Sequence, residues 1–355
     1  MKILCLYSHC GPAYVRTGWG RVFSAMGHEF VFWKPWLKSA FDAFAEFEPD
    51  IFLGTTYDLD SAIFKCLIQR PQVKVAFFGS AWGDLVEKVD KNLYPITRVT
   101  EQEKRLVGQL KYSIGKPDFV FVHVTDKYLE GTMGGWKEIG VEPLGILNAA
   151  DTFEYFPCAP DPLLKTDIGF IGGYWEYKAR NLDKYMLPLC QPNSQFNVKI
   201  FGNQPWPVPQ YLGEIEDRLA RVLFNSATIC PNISEPHSTD LGWDTVERPF
   251  KVLASGGFCI SDQVAEAREI FTEDELIMAP SPREFKNSIN GFLAHPEERK
   301  PFMEAGRKKV LASHTYFDRV FKILNGLGLE EEAERCLIVK RKYIDGKIKS
   351  LDSNQ

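Results

Sequence analysis

The chain has 355 residues, more than one hydrophobic core usually supports, so two domains are expected. Hydrophobic residues make up 45% and charged residues 25%, the balance of an ordinary globular protein. The formal net charge of -5 excludes a generally basic surface, so neither nucleic acid nor an anionic membrane is the expected main partner, although a local basic cleft stays possible.

The start of the chain, MKILCLYSHC, predicts a strand and not a signal peptide, because its apolar run is too short. No stretch approaches the roughly 20 apolar residues of a membrane span. The eight cysteines are scattered, without CxxC or zinc-type spacing. This pattern predicts reduced cysteines, no structural zinc and a cytoplasmic location.

The N-terminal half alternates apolar runs with helical patterns and short turns. Strands are predicted at residues 2–7, 29–33, 51–54, 73–78 and 119–124. This order is typical of a parallel, doubly wound sheet. Ligands of such sheets bind beyond the carboxyl ends of the strands, so the segments that follow these strands should share one rim.

A composition shift marks the middle of the chain. Three prolines, Pro157, Pro160 and Pro162, fall close together in a short stretch. Residues 158–167 are therefore the predicted hinge, with an N-terminal domain at 1–158 and a C-terminal domain at 159–325. Residues 326–355 form a charged tail with an apolar stripe at helical spacing, and we expect it to dock on the body as a helix.

The strand pattern restarts in the C-terminal half. Predicted strands at 168–171 and 198–201 end in Gly172-Gly173 and in Gly202-Asn203. A further strand, 227–230, precedes the stretch TDLGWDTVERPFKVLASGGFCISD at 239–262.

The stretch 239–262 predicts a polar loop, a helix with Pro249 in its first turn, a glycine turn and a buried strand. Gly256 and Gly257 end the helix, since glycine readily takes the left-handed conformation. A loop leading into a helix above a parallel sheet favours anions, because unpaired N–H groups and the helix dipole attract phosphate. An ordinary helix-to-strand unit of an α/β domain is the alternative.

The residues Arg248-Pro249-Phe250-Lys251-Val252-Leu253-Ala254-Ser255-Gly256-Gly257-Phe258 and Ile260-Ser261-Asp262 carry a family resemblance, together with HPEER at 295–299 and HT at 314–315. The pattern resembles the GT-B glycosyltransferases, in particular the spore-maturation-type (CgeB-like) branch related to glycosyltransferase families one and four. The resemblance implies two Rossmann-like domains facing each other across a cleft, with the donor in the C-terminal domain and the acceptor in the N-terminal domain. It covers about residues 1 to 325.

The resemblance also implies a nucleotide-sugar donor, with a UDP-sugar expected, no tightly bound cofactor and no metal. Arg248, Lys251 and a helix N-terminus would stabilise the leaving diphosphate. The branch has a glutamate at the position of Lys251, where it is expected to bond the donor ribose. A lysine cannot accept those bonds, so either the ribose contact differs here or the donor phosphate is held instead.

Further donor contacts are predicted around the same strand ends, and for each a purely structural duty is the alternative. They are Gly172, Gly173, Lys178, Arg180, Gly202, Asn203, His237, Ser238, Thr239 and Gly242. Asp58-Leu59-Asp60 spells DxD, the pattern of a metal site, but it opens a predicted helix, where capping is the expected duty.

On the N-terminal rim, His9 is the candidate for an acceptor or phosphate contact and Asp84 for the general base of an inverting reaction. In a retaining reaction Asp84 would bind the acceptor instead. His123 and Asp126 are alternatives on the same rim, and a packed or solvated role is open for each.

The sequence therefore predicts a glycosyltransferase that acts on an acceptor still open among glycans, lipid-linked sugars, proteins and modified nucleic-acid bases. A sugar-nucleotide epimerase of the same architecture and a non-catalytic sugar-nucleotide or glycan-binding protein are the alternatives. The protein is expected to be a monomer or a homodimer.

Overall fold

The computed structural model describes residues 1–8, 13–89 and 97–352, with no description of the side chains of residues 13, 14 and 349–352. The chain forms two compact units. One comprises Met1–Leu147 together with Tyr316–Gln355, and the other comprises Asn148–Thr315. We call them the N-terminal unit and the C-terminal unit.

The N-terminal unit contains a six-stranded sheet in which every strand pair is parallel. Its strands are β1 (Lys2–Leu6), β2 (Glu29–Trp33), β3 (Ile51–Thr55), β4 (Lys74–Phe78), β5 (Phe119–Val122) and β6 (Pro143–Gly145), in the spatial order β2-β1-β3-β4-β5-β6. The fully buried pattern of β3 explains its continuous apolar run, because helices cover both faces of such a sheet.

The N-terminal unit has six described α-helices within Met1–Leu147: α1 (Ala13–Ala25), α2 (Ala40–Phe47), α3 (Ser61–Ile68), α4 (Asp84–Glu87), α5 (Glu101–Ile114) and α6 (Asp126–Met133). Side chains cap three of them. Thr100 and Glu103 form a capping box at α5, and Ser39 caps α2. Asp60 accepts the N–H groups of Ala62 and Ile63, so it caps α3, as predicted for this part of the DxD pattern.

The C-terminal unit contains a five-stranded parallel sheet. Its strands are β7 (Thr166–Ile171), β8 (Val198–Phe201), β9 (Ala227–Asn232), β10 (Cys259–Asp262) and β11 (Ile277–Ala279), in the order β11-β10-β9-β7-β8. The chain runs outward from β7 to β8 and then returns to the other side of β7 as β9. The strand order therefore reverses between β7 and β9, and ligands of α/β sheets bind at such a switch point.

Seven α-helices of the described C-terminal unit accompany this sheet. They are α7 (Glu176–Tyr185), α8 (Asp217–Ser226), α9 (Pro236–Leu241), α10 (Arg248–Ala254), α11 (Ala265–Ile270), α12 (Pro282–Ala294) and α13 (Arg299–Ser313). The two parallel α/β sheets confirm the predicted fold class.

The last two helices, α14 (Tyr316–Gly326) and α15 (Glu330–Asp352), belong to the N-terminal unit, which corrects the predicted domain end at residue 325. The ring of Tyr316 packs directly against Gly18 of α1. A Cβ at position 18 would lie 2.1 Å from this ring, so only glycine permits so close an approach. Buried Arg319 donates from Nε to the carbonyl of Leu147 at 2.7 Å. On α15, Lys340 pairs with Asp318 at 2.6 Å. The charged tail is thus a helix docked on the body.

The proline-rich stretch 158–167 lies within the C-terminal unit, so the predicted hinge position and the boundary at residue 158 are also corrected. The backbone N–H of Cys158 donates to Asn225 at 3.3 Å, and that of Asp161 donates to the Ser226 hydroxyl at 2.8 Å. The guanidinium of Arg221 stacks 4.0 Å from the ring centre of Phe156. These bonds fasten the stretch to α8.

Candidate donor site

Arg248, the first residue of α10, lies at the switch point of the C-terminal sheet. Its Nε donates to the carbonyl of Ile171 at the end of β7, at 3.1 Å. Its Nη1 donates to Asn232 Oδ1 at the end of β9, at 2.9 Å, and lies 3.5 Å from the carbonyl of Ile233. The guanidinium also stacks on the ring of Phe170, 4.6 Å from its centre. A fixed cation therefore joins the carboxyl ends of the two strands between which the strand order reverses.

Two glycine turns border this guanidinium. A Cβ on Gly172 would be 3.1 Å from Nη2 of Arg248, so the glycine keeps a side chain away from the cation. A Cβ on Gly202 would be 2.4 Å from the carbonyl oxygen of Gly172, and one on Gly173 would be 2.6 Å from Oδ1 of Asn203. The predicted glycines after β7 and β8 thus lie together, and they leave backbone beside Arg248 where side chains would otherwise stand.

A buried polar network below Arg248 was not predicted from the sequence. Asn232 donates from Nδ2 to the hydroxyl of Ser261 at 2.8 Å, and this hydroxyl lies 3.4 Å from Oδ1 of Asp262. Asp262 also accepts the backbone N–H and the hydroxyl of Ser234. Burial raises the pKa of Asp262 to about 6, against the opposing effects of these hydrogen bonds and of Arg248. The only sequence signal was an acidic residue directly after an apolar run.

Lys251 lies one turn further along α10, and its ammonium faces the ring of Tyr155, 5.5 Å from the ring centre. Burial lowers the pKa of Lys251, while the carboxylate of Glu247 acts in the opposite direction. The positive charge of Arg248 lowers the pKa further. The structure thus places a second half-buried cation close to the first, on the side of α10 that faces the 151–157 connector.

Lys178 and Arg180, predicted to follow the first glycine turn, both lie on α7 and pair with acidic residues around α9. Lys178 Nζ is 2.5 Å from Glu235 Oε1, and the hydroxyl of Tyr177 donates to the same carboxylate at 2.6 Å. Arg180 pairs with Asp240 at 2.6 Å. These bonds tie α7 to α9 beside the switch point.

The predicted polar loop before α10 contains a short helix, α9, so this part of the interpretation was wrong. Ser238 is fully buried and Thr239 Oγ1 donates to the carbonyl of Pro236 at 2.9 Å. Gly242 ends the helix with φ 81°, in the left-handed region that favours glycine. The hydroxyls of Ser238 and Thr239 are therefore occupied by contacts within the helix and its loop.

His237 is buried beside two carboxylates. Its Nε2 is 2.8 Å from Asp244 Oδ2, and its Nδ1 is 3.7 Å from Glu235 Oε2. Burial acts to lower the pKa of His237, but the hydrogen bond and charge of Asp244, together with Glu235, outweigh it and raise the pKa. Asp244 itself has φ 72°, an uncommon conformation for a residue with a side chain.

On the N-terminal rim, Asp84 is the first residue of the four-residue helix α4 and is exposed. His9 lies outside the described residues. His123 is buried, and its Nδ1 is 2.7 Å from the carbonyl of Ile146, while Asp126 pairs with Lys322 at 3.2 Å. The structure therefore favours a packed role for His123 and leaves Asp84 exposed at the rim.

The end of β4 is held by a buried carboxylate that sequence reasoning missed. Glu103 of α5 accepts the hydroxyls of Thr56 at 2.8 Å and Ser80 at 2.5 Å. The backbone N–H of Ser80 also donates to Thr56 at 3.0 Å. These bonds fix the segment that leads to Asp84.

No curated protein is significantly similar to this chain in sequence. Residues 184–325 match the family described as "Glycosyl transferase-like". Among the helices that the structure describes, none combines the length and the apolar character needed to cross a bilayer.

Several solved structures share the fold. The sucrose-phosphate synthase of Thermosynechococcus elongatus superposes with a TM-score of 0.62 at 13% identity, over 92% of this chain and 98% of that one. The BGT of phage T4, solved with its substrate UDP-glucose, gives 0.54 at 12% identity over 94% and 99%. HepE of Anabaena, solved with UDP and glucose, gives 0.57 at 11% identity over 92% and 99%.

The family match begins within the C-terminal unit and continues into α14 of the N-terminal unit, and it agrees with the two parallel sheets and with these structural similarities. The chain therefore has the GT-B fold of these structures, and its residues 184–325 match the glycosyl transferase-like family.

Proposed function

We propose that the protein transfers a sugar from a UDP-sugar, bound by the C-terminal unit, to an acceptor held by the N-terminal unit. The position of Arg248 carries the proposal, because this fixed guanidinium joins the ends of β7 and β9 at the switch point. UDP complexes of T4 BGT and of HepE, which share the fold, support UDP as the nucleotide.

The chemistry requires a group that accepts the growing charge of the leaving diphosphate. As the bond between the sugar carbon and the phosphate oxygen breaks, negative charge collects on the β-phosphate. A guanidinium already held in place by three contacts stabilises this charge without reorganisation. Gly172 keeps the space beside the guanidinium clear of a side chain, so a phosphate can approach it.

Two lysines would add positive charge. Lys178 pairs with Glu235, and a diphosphate, which carries more charge than one carboxylate, would compete for it. Lys251 lies close enough to Arg248 that each disfavours the charge of the other. A bound anion would relieve that repulsion, so we assign these cations the neutralising role that a metal has in other enzymes.

The acceptor would approach the strand ends of the N-terminal unit. Asp84 is exposed there, and it would take the proton of the acceptor hydroxyl in an inverting reaction or bind the acceptor in a retaining one. His9 is proposed for an acceptor-side or phosphate contact.

Incubation with UDP-glucose and other nucleotide sugars, with and without candidate acceptors, tests the proposal. Released UDP and a sugar-extended acceptor are expected, and EDTA should leave the rate unchanged. A donor that returns with its sugar epimerised would contradict the transfer reaction. Donor binding without release of nucleotide, whatever the acceptor, would also contradict it.

A further inference from the structure

The buried carboxylate of Asp262 has no role in the reaction just proposed, although it lies directly below the residues that hold Arg248. It is the last residue of β10 and is fully buried. Its neighbours Ser261, Asn232 and Ser234 are also buried, with at most 5% of their surface exposed. The free-energy cost of removing a carboxylate from water must be offset by hydrogen bonds or by a nearby positive charge. Asp262 has both, because Ser234 donates to it and Arg248 acts on it electrostatically.

The direction of each hydrogen bond in this network follows from the carboxylate. An ionised carboxylate only accepts, so the hydroxyl of Ser261 turns its proton toward Asp262, 3.4 Å away. The Ser261 oxygen then accepts from Nδ2 of Asn232 at 2.8 Å. This orients the amide of Asn232 with its Oδ1 toward Arg248, whose Nη1 donates to it at 2.9 Å.

The same carboxylate fixes a second segment. Both carboxylate oxygens accept the backbone N–H of Ser234, at 3.1 and 3.0 Å, and Oδ1 accepts its hydroxyl at 2.8 Å. Ser234 stands directly before Glu235, the residue that pairs with Lys178. One carboxylate at the end of β10 thus contacts the loop after β9 directly and reaches Arg248 through two side chains.

We propose that Asp262 is a positioning residue for the donor diphosphate: through Ser261 and Asn232 it keeps the guanidinium of Arg248 aimed at the phosphate site. This inference rests on the proposed function. It assigns Asp262 no contact with the donor and no proton transfer. In this arrangement the carboxylate is the distant counter-charge of Arg248 and helps to hold the guanidinium in place without contacting it.

Two serines bonded to the same carboxylate provide a matched test. Ser261→Ala breaks the connection to Arg248 and leaves Ser234 in place. Ser234→Ala removes one hydroxyl from Asp262 and leaves both the backbone N–H bond and the connection to Arg248. We expect Ser261→Ala to weaken UDP binding about 5-fold or more in calorimetric titrations, and Ser234→Ala to change it less than 2-fold. A thermal unfolding scan measures how much stability each variant loses. If the network had only a structural role, this loss of stability would be the main effect of both substitutions.

The pH profile adds a readout that packing alone would not change. Protonation of Asp262 removes the acceptor that orients Ser261, so UDP affinity of the unchanged protein should fall more steeply below pH 6 than that of Ser261→Ala. Using the difference between the two proteins cancels the titration of UDP itself and of His237. Among the described residues, the other charged or titratable groups that act on or respond to Asp262 include Arg248, Tyr185 and Cys259, and all three are present in both proteins.

The double variant Asn232→Ala with Ser261→Ala should bind UDP about as weakly as either single variant, because both break the same chain of bonds. Equal affinities of Ser261→Ala and Ser234→Ala, or fully additive losses in the double variant, would overturn the inference and leave the donor site standing. If the unchanged protein did not bind UDP, the donor assignment would fall first and the role of Asp262 with it.

Discussion

Arg248 shows how one side chain becomes a binding group through its hydrogen bonds. A long cationic side chain at a helix start is usually solvated and has many conformers. Here the ends of β7 and β9 and the ring of Phe170 hold the Arg248 side chain in a single conformer. Arginine suits this duty better than lysine, because its planar fork donates to acceptors at two strand ends at once.

Arg248→Ala should therefore weaken UDP binding about 10-fold to 100-fold, since hydrogen bonds to charged groups contribute about 1.5–3 kcal/mol. Turnover of the sugar donor should fall further than binding, because the charge on the diphosphate grows in the transition state. Titration calorimetry and UDP-release kinetics measure the two effects separately. Arg248→Lys keeps the charge but lacks the fork, and we expect it to restore less than half of the lost binding energy.

The matched control is Arg218→Ala, which removes the same charge from an exposed pair with Glu216. It should leave both UDP affinity and turnover unchanged. An equal loss in Arg218→Ala would mean that overall charge, and not the position of Arg248, governs donor binding.

Asp262 gives the stability of the protein a defined pH dependence. Its pKa is raised to about 6 in the folded protein, above its ordinary value of 3.8, so the folded state binds its proton at a higher pH than the unfolded state. The free energy of unfolding therefore rises as the pH falls through this window. Relative to Asp262→Asn, the unchanged protein should gain about 2 kcal/mol between pH 7 and pH 4.5.

Urea unfolding at a series of pH values measures this gain. Glu214→Gln, at an exposed site of the same unit, should show no comparable pH dependence relative to the unchanged protein. A flat difference between the unchanged protein and Asp262→Asn would mean that Asp262 keeps its ordinary pKa in the fold.

At the scale of elements, the two glycine turns after β7 and β8 bring backbone against backbone. Gly202→Ala would place a Cβ 2.4 Å from the carbonyl oxygen of Gly172, which cannot move without disturbing the turn beside Arg248. We expect a loss of about 1–3 kcal/mol in the free energy of unfolding together with weaker UDP binding. Chemical denaturation and calorimetry measure the two quantities.

Gly291→Ala is the control for that substitution. Gly291 lies in α12, and a Cβ there meets nothing within 4 Å. Alanine should stabilise the helix by up to about 1 kcal/mol and leave UDP binding unchanged. If Gly202→Ala likewise kept its stability and its UDP binding, the close approach of the Gly172 carbonyl would not be the reason for a glycine at position 202.

The elements that the sequence predicted well are those with a strong local signal. β7 and β8 are short apolar runs closed by glycine, and α10 has a proline in its first turn and Gly256 at φ +79° just past its end. α9 was missed because Pro236–Leu241 is mainly polar, so it has no apolar period to reveal a helix. The connection from Asp262 to Arg248 joins residues of three separate elements, and no local pattern records such contacts.

At the scale of the whole molecule, the C-terminal helices belong to the unit that contains the N-terminus. The sequence analysis assigned residues 316–325 to the C-terminal domain, because segments that follow one another in the chain are expected to fold together. Their partner is decided by tertiary contacts such as Tyr316 against Gly18 and Arg319 against the carbonyl of Leu147. A glycine inside a helix does not reveal which part of the chain packs against it.

Gly18→Ala should therefore loosen α14. The added Cβ would lie 2.1 Å from the buried ring of Tyr316, and such overpacking costs about 1–3 kcal/mol, more than the helical gain from alanine. Hydrogen exchange should become faster in α14, and thermal unfolding should begin at a lower temperature. Gly346→Ala in α15, where a Cβ meets nothing within 4 Å, is the control; it should leave exchange in α14 unchanged and should not lower the unfolding temperature. Unchanged exchange in α14 of Gly18→Ala would contradict the assignment of this helix to the N-terminal unit.

A structure of the complex with UDP is the most direct measurement of the donor site. The account predicts a β-phosphate oxygen within about 2.7–3.2 Å of a guanidinium nitrogen of Arg248, beside Gly172 and with Lys178 or Lys251 turned toward the diphosphate. UDP bound with its phosphates remote from both Arg248 and Lys251 would contradict the central claim.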